Sequence, residues 1–200
     1  MIKNIIFDIG RVLLDFKPEN YLIEKYKDEV LAEKLYSNIF KSNEWIELDR
    51  GSITNEEAIE IFIQREIDHR IYITEVMKDW HNILTPIEGT VELLYKLKNT
   101  GYKIILLSNF HLKAFELVYE KYSFFKLADE AVISSKIKLL KPSKEIYEHM
   151  LNSLLIKPEE SLFIDDTLEN VKGAEKLGIK SIQFESPNQL EKTLKKLNLI

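Results

Sequence analysis

An α/β fold built on a mostly parallel sheet is what these 200 residues predict, and three features carry the prediction. Five short apolar runs, at 2–7, 102–107, 131–133, 161–164 and 179–184, have the length and the Ile, Val and Leu content of buried strands. Helical patterns at 88–99, 112–122, 143–154 and 168–177 separate them, and parallel neighbours need crossover connections of this kind. Gly101 and Gly178 stand just before the second and fifth runs, where a helix that ends in a left-handed residue favours one without a β-carbon. The pattern is that of a Rossmann-like core.

The first run, 2–7, delivers Asp8 into a loop that continues Ile9-Gly10-Arg11. Residues 15–86 follow with no comparable strand pattern. Pro18-Glu19-Asn20 precedes a long amphipathic stretch to Phe40, Thr54-Asn55-Glu56-Glu57 is a capping-box signature ahead of 58–67, and a further short pattern spans 74–80. The expected organisation is a helical cap, residues 16–86, inserted into a core made of 1–15 and 87–200, with hinges near 15–18 and 85–89. The second run ends at Ser108-Asn109, the third at Ser134-Ser135, and the fourth at Asp165-Asp166. A Lys- and Glu-rich tail with apolar residues at helical spacing, 189–197, reads as a closing helix.

Composition narrows the chemistry. Apolar residues make up 45% and charged residues 30%, with six Gly and five Pro, which excludes disordered, collagenous and low-complexity chains. The net charge of −5 repels polyanions, so neither nucleic acid nor an anionic membrane surface is an expected partner. No cysteine is present, which removes thiolate nucleophiles, disulfides and Cys-ligated metals. The apolar run at 2–7 is too short for a signal peptide or a membrane span, so the cytoplasm is the expected location. Nothing in the sequence sets an oligomeric state.

In open α/β sheets ligands bind outside the carboxyl ends of the strands, and here those ends carry Asp8, Ser108-Asn109 and Asp165-Asp166. Carboxylates converging at one edge repel one another unless a cation neutralises them, and all-oxygen ligands beside phosphate point to Mg²⁺. Lys141-Pro142, at the start of a helix, adds an ammonium group and a helix N-terminus that favour an anion.

Phe7-Asp8-Ile9-Gly10-Arg11-Val12-Leu13, Leu107-Ser108-Asn109, Lys141-Pro142, and Phe163-Ile164-Asp165-Asp166 with Asn170 resemble, in order, the four motifs of the haloacid dehalogenase (HAD) superfamily. The resemblance spans nearly the whole chain. It implies that Asp8 is a nucleophile that forms an aspartyl-phosphate while its other oxygen binds Mg²⁺. Ser108 and Asn109, with Arg11, would bind substrate, and Lys141 would offset charge on nucleophile and phosphoryl group. Asp166, with Asp165 lining the same site and the Gly10 carbonyl as a further ligand, would complete the metal site.

One position departs from the family's pattern. Most HAD phosphatases carry a second Asp two residues after the nucleophile as general acid and base, and here Gly10 stands there. Losing such an acid costs ~10²- to 10⁴-fold in rate, least where the leaving oxygen needs little protonation. The chain most resembles the Asp-x-Gly subgroup that includes bacterial α-glucose-1-phosphate phosphatases. The expected activity is therefore Mg²⁺-dependent hydrolysis of a small phosphorylated metabolite, a sugar phosphate such as a sugar 1-phosphate. A catalytically weak phosphate-binding or regulatory protein is the alternative. Arg11, Asp15, His81 and His111 are candidates to stand in for the absent acid. In the cap, Trp45, Trp80, Tyr21, Phe40 and Phe62 read as packing residues, and Glu44, Asp49 and Arg50 as a solvated turn or a face toward the site.

Overall fold

The computed structural model describes all 200 residues. The chain begins with β1 (Asn4–Phe7), four residues buried on both faces, and continues to a two-residue strand β2 (Leu14–Asp15). Five helices follow: α1 (Pro18–Tyr26), α2 (Glu29–Leu35), α3 (Asn43–Arg50), α4 (Asn55–Arg65) and α5 (Arg70–Asp79). The stretch that reads as one amphipathic helix to Phe40 is in fact broken. Lys27 adopts a left-handed conformation (φ 51°), and the Asp28 side chain then caps α2 by accepting from the Val30 and Leu31 N–H groups. The capping box at Thr54 and Glu57 forms as the sequence predicts, with Glu57 N–H donating to Thr54 Oγ1 (3.1 Å) and Thr54 N–H to Glu57 Oε2 (2.7 Å).

The chain returns through β3 (Thr85–Pro86), which pairs antiparallel with β2 in the register Leu14 opposite Pro86 and Asp15 opposite Thr85. The two crossings between the helical insertion and the rest of the chain are therefore hydrogen-bonded to one another. From there α6 (Glu88–Asn99), β4 (Lys103–Ser108), α7 (Leu112–Lys121), β5 (Glu130–Ile133) and a four-residue helix α8 (Ser134–Ile137) follow. Then come α9 (Lys144–Ser153), β6 (Ser161–Asp165), α10 (Leu168–Glu175), β7 (Lys180–Gln183) and the closing helix α11 (Pro187–Lys196). No helix is long and apolar enough to cross a membrane.

The sheet has the order β5-β4-β1-β6-β7, and every pairing is parallel. This is the α/β, Rossmann-like architecture predicted, with helices on both faces. One face packs under a cluster that includes Tyr147, Met150 and Phe163. The other belongs to a larger cluster running without a break from Ile5, Ile104 and Leu162 into Leu22, Phe62 and Ile73 of the inserted helices. The register aligns Phe7 with Leu106 on one side and Ile164 on the other, so Asp8, Ser108 and Asp165 leave the sheet at the same edge.

Helix α3 is the element that the sequence pattern does not announce. It ends on Gly51 (φ 73°), and a β-carbon there would collide with the Ser135 backbone of α8. Gly51→Ala therefore meets both left-handed strain and overpacking and is expected to destabilise the fold by about 1–3 kcal/mol, read from urea denaturation. A loss below about 0.5 kcal/mol would show that α3 does not dock tightly.

Candidate active site

Asp8 follows β1 and is 7% exposed. Its Oδ1 accepts from the Ile9 N–H at 2.7 Å and lies 2.9 Å from Lys141 Nζ. Burial pushes its pKa up to about 7, with the Asp165 carboxylate pushing the same way and Lys141 and the Ser108 hydroxyl pulling it down. Lys141 is equally enclosed, at 4% exposure. Its ammonium donates to Asp165 Oδ2 (2.6 Å) and to the Leu107 carbonyl (2.9 Å). Burial opposes its charge, but the Asp8 and Asp165 carboxylates overcome that and hold its pKa above the ordinary lysine value.

Asn109 holds this lysine in place. Its Nδ2 donates to the Lys141 carbonyl and its Oδ1 accepts from the Lys141 N–H, both at 2.9 Å. Asp165, fully buried, has its carboxylate nearly saturated: Thr167 N–H (2.8 Å) and Asn170 Nδ2 (3.0 Å) reach Oδ1, and Asn170 and Lys141 reach Oδ2. Asp166 is freer, its side chain 22% exposed and 4.0 Å from the Arg11 guanidinium. Burial and Asp165 raise its pKa, against Arg11 and Lys141. One carboxylate oxygen from each of Asp8, Asp165 and Asp166 falls within 4.8 Å of the others.

A cavity of about 200 Å³ opens beside this cluster. Gly10, Arg11, Asn109, Asp166 and Thr167 form its polar side, and Arg11 meets it from a left-handed backbone (φ 58°). Phe16, Trp45, Trp80, Leu84 and Phe110 form its apolar side, with Asp49 and His111 completing the wall. Trp45 stacks on Phe16 (6.2 Å between ring centres) and meets Trp80 edge-on (4.8 Å). These indoles are thus both buried packing residues and cavity lining.

A family model described as a haloacid dehalogenase-like hydrolase matches residues 5–184. The chain belongs to that family. Among relatives of this HAD-like hydrolase, the drimenol cyclase drtB of Aspergillus calidoustus is 24% identical over 97% of this chain, which spans only 36% of that protein. The sesquiterpene phosphatase astK of Aspergillus oryzae is 27% identical, over 88% of this chain and 87% of its own. A HAD family enzyme of Bacteroides thetaiotaomicron, solved with magnesium and inorganic phosphate, superposes with a TM-score of 0.73 at 24% identity, over 93% of this chain and 96% of that one. That likeness shows the shared fold.

Of the candidate site residues, Asp8, Asp165 and Asp166 cluster at one edge of the sheet with Lys141 between Asp8 and Asp165. Ser108 bonds Asp8, Asn109 bonds Lys141, and Gly10 and Arg11 line the adjoining cavity. Of the four candidates for the absent acid, Arg11 and His111 reach the cavity. Asp15 instead bonds Lys17 Nζ (2.6 Å) beside a different hollow, and His81 is not in the cavity wall. Asp49, read from sequence as a turn residue as readily as a site residue, stands in the wall. It follows Trp45 by four residues and so lies on the side of α3 that Trp45 and Leu48 bury, but the sequence pattern does not announce that helix.

Proposed function

We propose that this chain is a Mg²⁺-dependent phosphomonoester hydrolase that works through phosphorylated Asp8 on a small metabolite, a sugar phosphate. The observation that carries the reading is the cluster of Asp8, Asp165 and Asp166 around one buried lysine. One ammonium serves Asp8 and Asp165 while Arg11 faces Asp166, and burial first, then the neighbouring Asp165 carboxylate, raises the pKa values of Asp8 and Asp166. An all-oxygen donor set with surplus charge suits a hard divalent cation. Asp8, Asp166 and the Gly10 carbonyl would hold Mg²⁺, with Asp165 the least free to ligate because its lone pairs are engaged. Bound there, the ion supplies charge neutralisation at the phosphoryl oxygens.

The remaining roles belong to the chain's own groups. Lys141 screens the charge on Asp8 and, against burial, pulls it toward the ionised form that attacks. Ser108 and Asn109 border the phosphoryl position, Asn109 also fixing Lys141, and Arg11 offers its guanidinium across from Asp166. Residues 16–86 act as a cap that excludes water and shapes the leaving-group space. A cavity of about 200 Å³ suits a small leaving group, since pockets for drug-sized ligands span roughly 300–1,000 Å³. The aromatic wall supports a second reading, in which the leaving group is an apolar alcohol, consistent with the name of the Aspergillus oryzae relative.

Phosphate release over sugar phosphates, apolar alkyl phosphates and nucleotides, with and without Mg²⁺, ranks these readings. Acid quench of a single turnover with ³²P-labelled substrate tests the mechanism: a hydroxylamine-labile labelled phosphoryl group is expected on the Asp8 carboxylate. Label confined to released phosphate overturns the covalent route, and wild type inert on every compound favours a binding protein.

A further inference from the structure

We propose that Asp49, reaching the cavity from the inserted helices, gives the leaving oxygen the proton that no group at Gly10 can give, and that it later takes a proton from the attacking water. The proposal rests on the phosphomonoester hydrolase reading of the site. Asp49 closes α3, shares the cavity with Gly10, Asn109 and Asp166, and keeps 21% of its side chain exposed. Its backbone is fixed at the core: the Ser134 hydroxyl donates to the Asp49 carbonyl, and the Phe110 N–H donates to the same Ser134 oxygen at 2.9 Å. Its carboxyl Oδ1 stands 3.3 Å from His111 Nε2.

That imidazole supplies an independent observation. His111 is 7% exposed, and its Nε2 has no hydrogen-bond donor or acceptor assigned to it. Burial lowers its pKa to about 3, against a hydrogen bond to the Trp45 backbone, so the ring is neutral. With the other nitrogen turned to the Trp45 backbone, the neutral tautomer leaves Nε2 as an acceptor. An ionised Asp49 finds no donor there, so the protonated carboxyl is favoured, its proton passing to the leaving oxygen when substrate enters. The groups facing Asp49 agree. Burial, and then the Asp8 charge, raise its pKa to about 8, against the pull of Lys141. Arg11 and Asp166 offset one another across the cavity, and Arg50 on its own helix is turned to Glu47 at 3.2 Å.

The other candidates fail on chemistry: a guanidinium such as Arg11 does not give up its proton, and a neutral His111 has no acidic proton to give. In the first step an Asp8 oxygen bonds to phosphorus as the bond to the leaving oxygen breaks, and the Asp49 proton goes to that oxygen. In the second, the Asp49 carboxylate removes a proton from water, the water oxygen bonds to phosphorus, and the bond to Asp8 breaks. Asp8 ends ionised and Asp49 protonated, as both began. Such an acid also lifts the restriction to anomeric phosphates that Gly10 imposes.

Leaving-group dependence is the test. With Asp49→Asn, the first-step rate measured by rapid quench is expected to fall ~10²- to 10⁴-fold on an alkyl phosphate such as a sugar 6-phosphate. On p-nitrophenyl phosphate, whose leaving group departs as a stable anion, the burst rate should stay within about tenfold. Gly10→Asp has open space for its side chain and should restore the alkyl rate of Asp49→Asn at least partly, a rescue that a folding defect does not permit. Metal-free wild type at neutral pH should also show an infrared band of a protonated carboxyl that Asp49→Asn removes. Equal losses on both substrates, no loss on either, or absence of that band overturns the proposal. A wild type that never phosphorylates Asp8 overturns the hydrolase reading and this proposal together.

Discussion

Asp8→Asn is expected to lower turnover by on the order of 10⁴- to 10⁶-fold, because an amide cannot attack phosphorus and no neighbouring group is placed to replace it. Asp165 is the nearest substitute, but its oxygens are held by Lys141, Asn170 and Thr167. The loss should be confined to chemistry. The amide oxygen can still accept from the Ile9 N–H, Lys141 keeps Asp165, and one charge leaves a crowded cluster. Metal-free Asp8→Asn should therefore melt no earlier than metal-free wild type. Residual activity above about 1% on any substrate would remove Asp8 from the role of nucleophile.

Lys141→Met should have the largest effect on stability. The lysine is the sole cation in contact with Asp8 and Asp165, and removing one member of a buried ion pair typically costs about 3–5 kcal/mol. The expected loss in urea denaturation of the metal-free protein falls in that range, with turnover abolished as well. The sign of its pH dependence follows from Asp8. Its folded pKa already lies above 3.8, near 7, and without Lys141 it rises further. A carboxyl with a raised folded pKa stabilises the folded state most at low pH and loses that contribution as pH climbs through the folded value. The variant's deficit should thus be greater at pH 8 than at pH 5. A loss under 1 kcal/mol at pH 8 would mean that the carboxylates do not depend on this lysine.

The strands were legible in the sequence because a parallel strand covered on both faces has no polar side to alternate. Ile104 to Leu107 is an unbroken apolar run, and Asp8 and Asp165 are conspicuous because a carboxylate ends each such run. The edge where the carboxylates gather followed from these strand ends. The inserted helices were less legible. Lys27 and Asp28 do not look like a break, since the left-handed residue is a lysine rather than a glycine. Helix α3 spans only eight residues, of which Asn43, Glu44, Glu47, Asp49 and Arg50 are polar, so its apolar face is two or three residues wide. The role proposed for Asp49 depends on Ser134 and His111 meeting α3, and Ser135 meeting its cap Gly51, across more than 50 residues of chain, which no local pattern encodes.

Along the chain, the two-rung ribbon of β2 and β3 stands between Asp8, the proposed nucleophile, and the helices that carry Asp49, the proposed proton carrier. In the proposed cycle attack needs only the sheet edge, whereas protonation also needs α3 seated on it, and that seat is made by the Ser134 hydroxyl on the Asp49 carbonyl and by Gly51 lying bare against the Ser135 backbone.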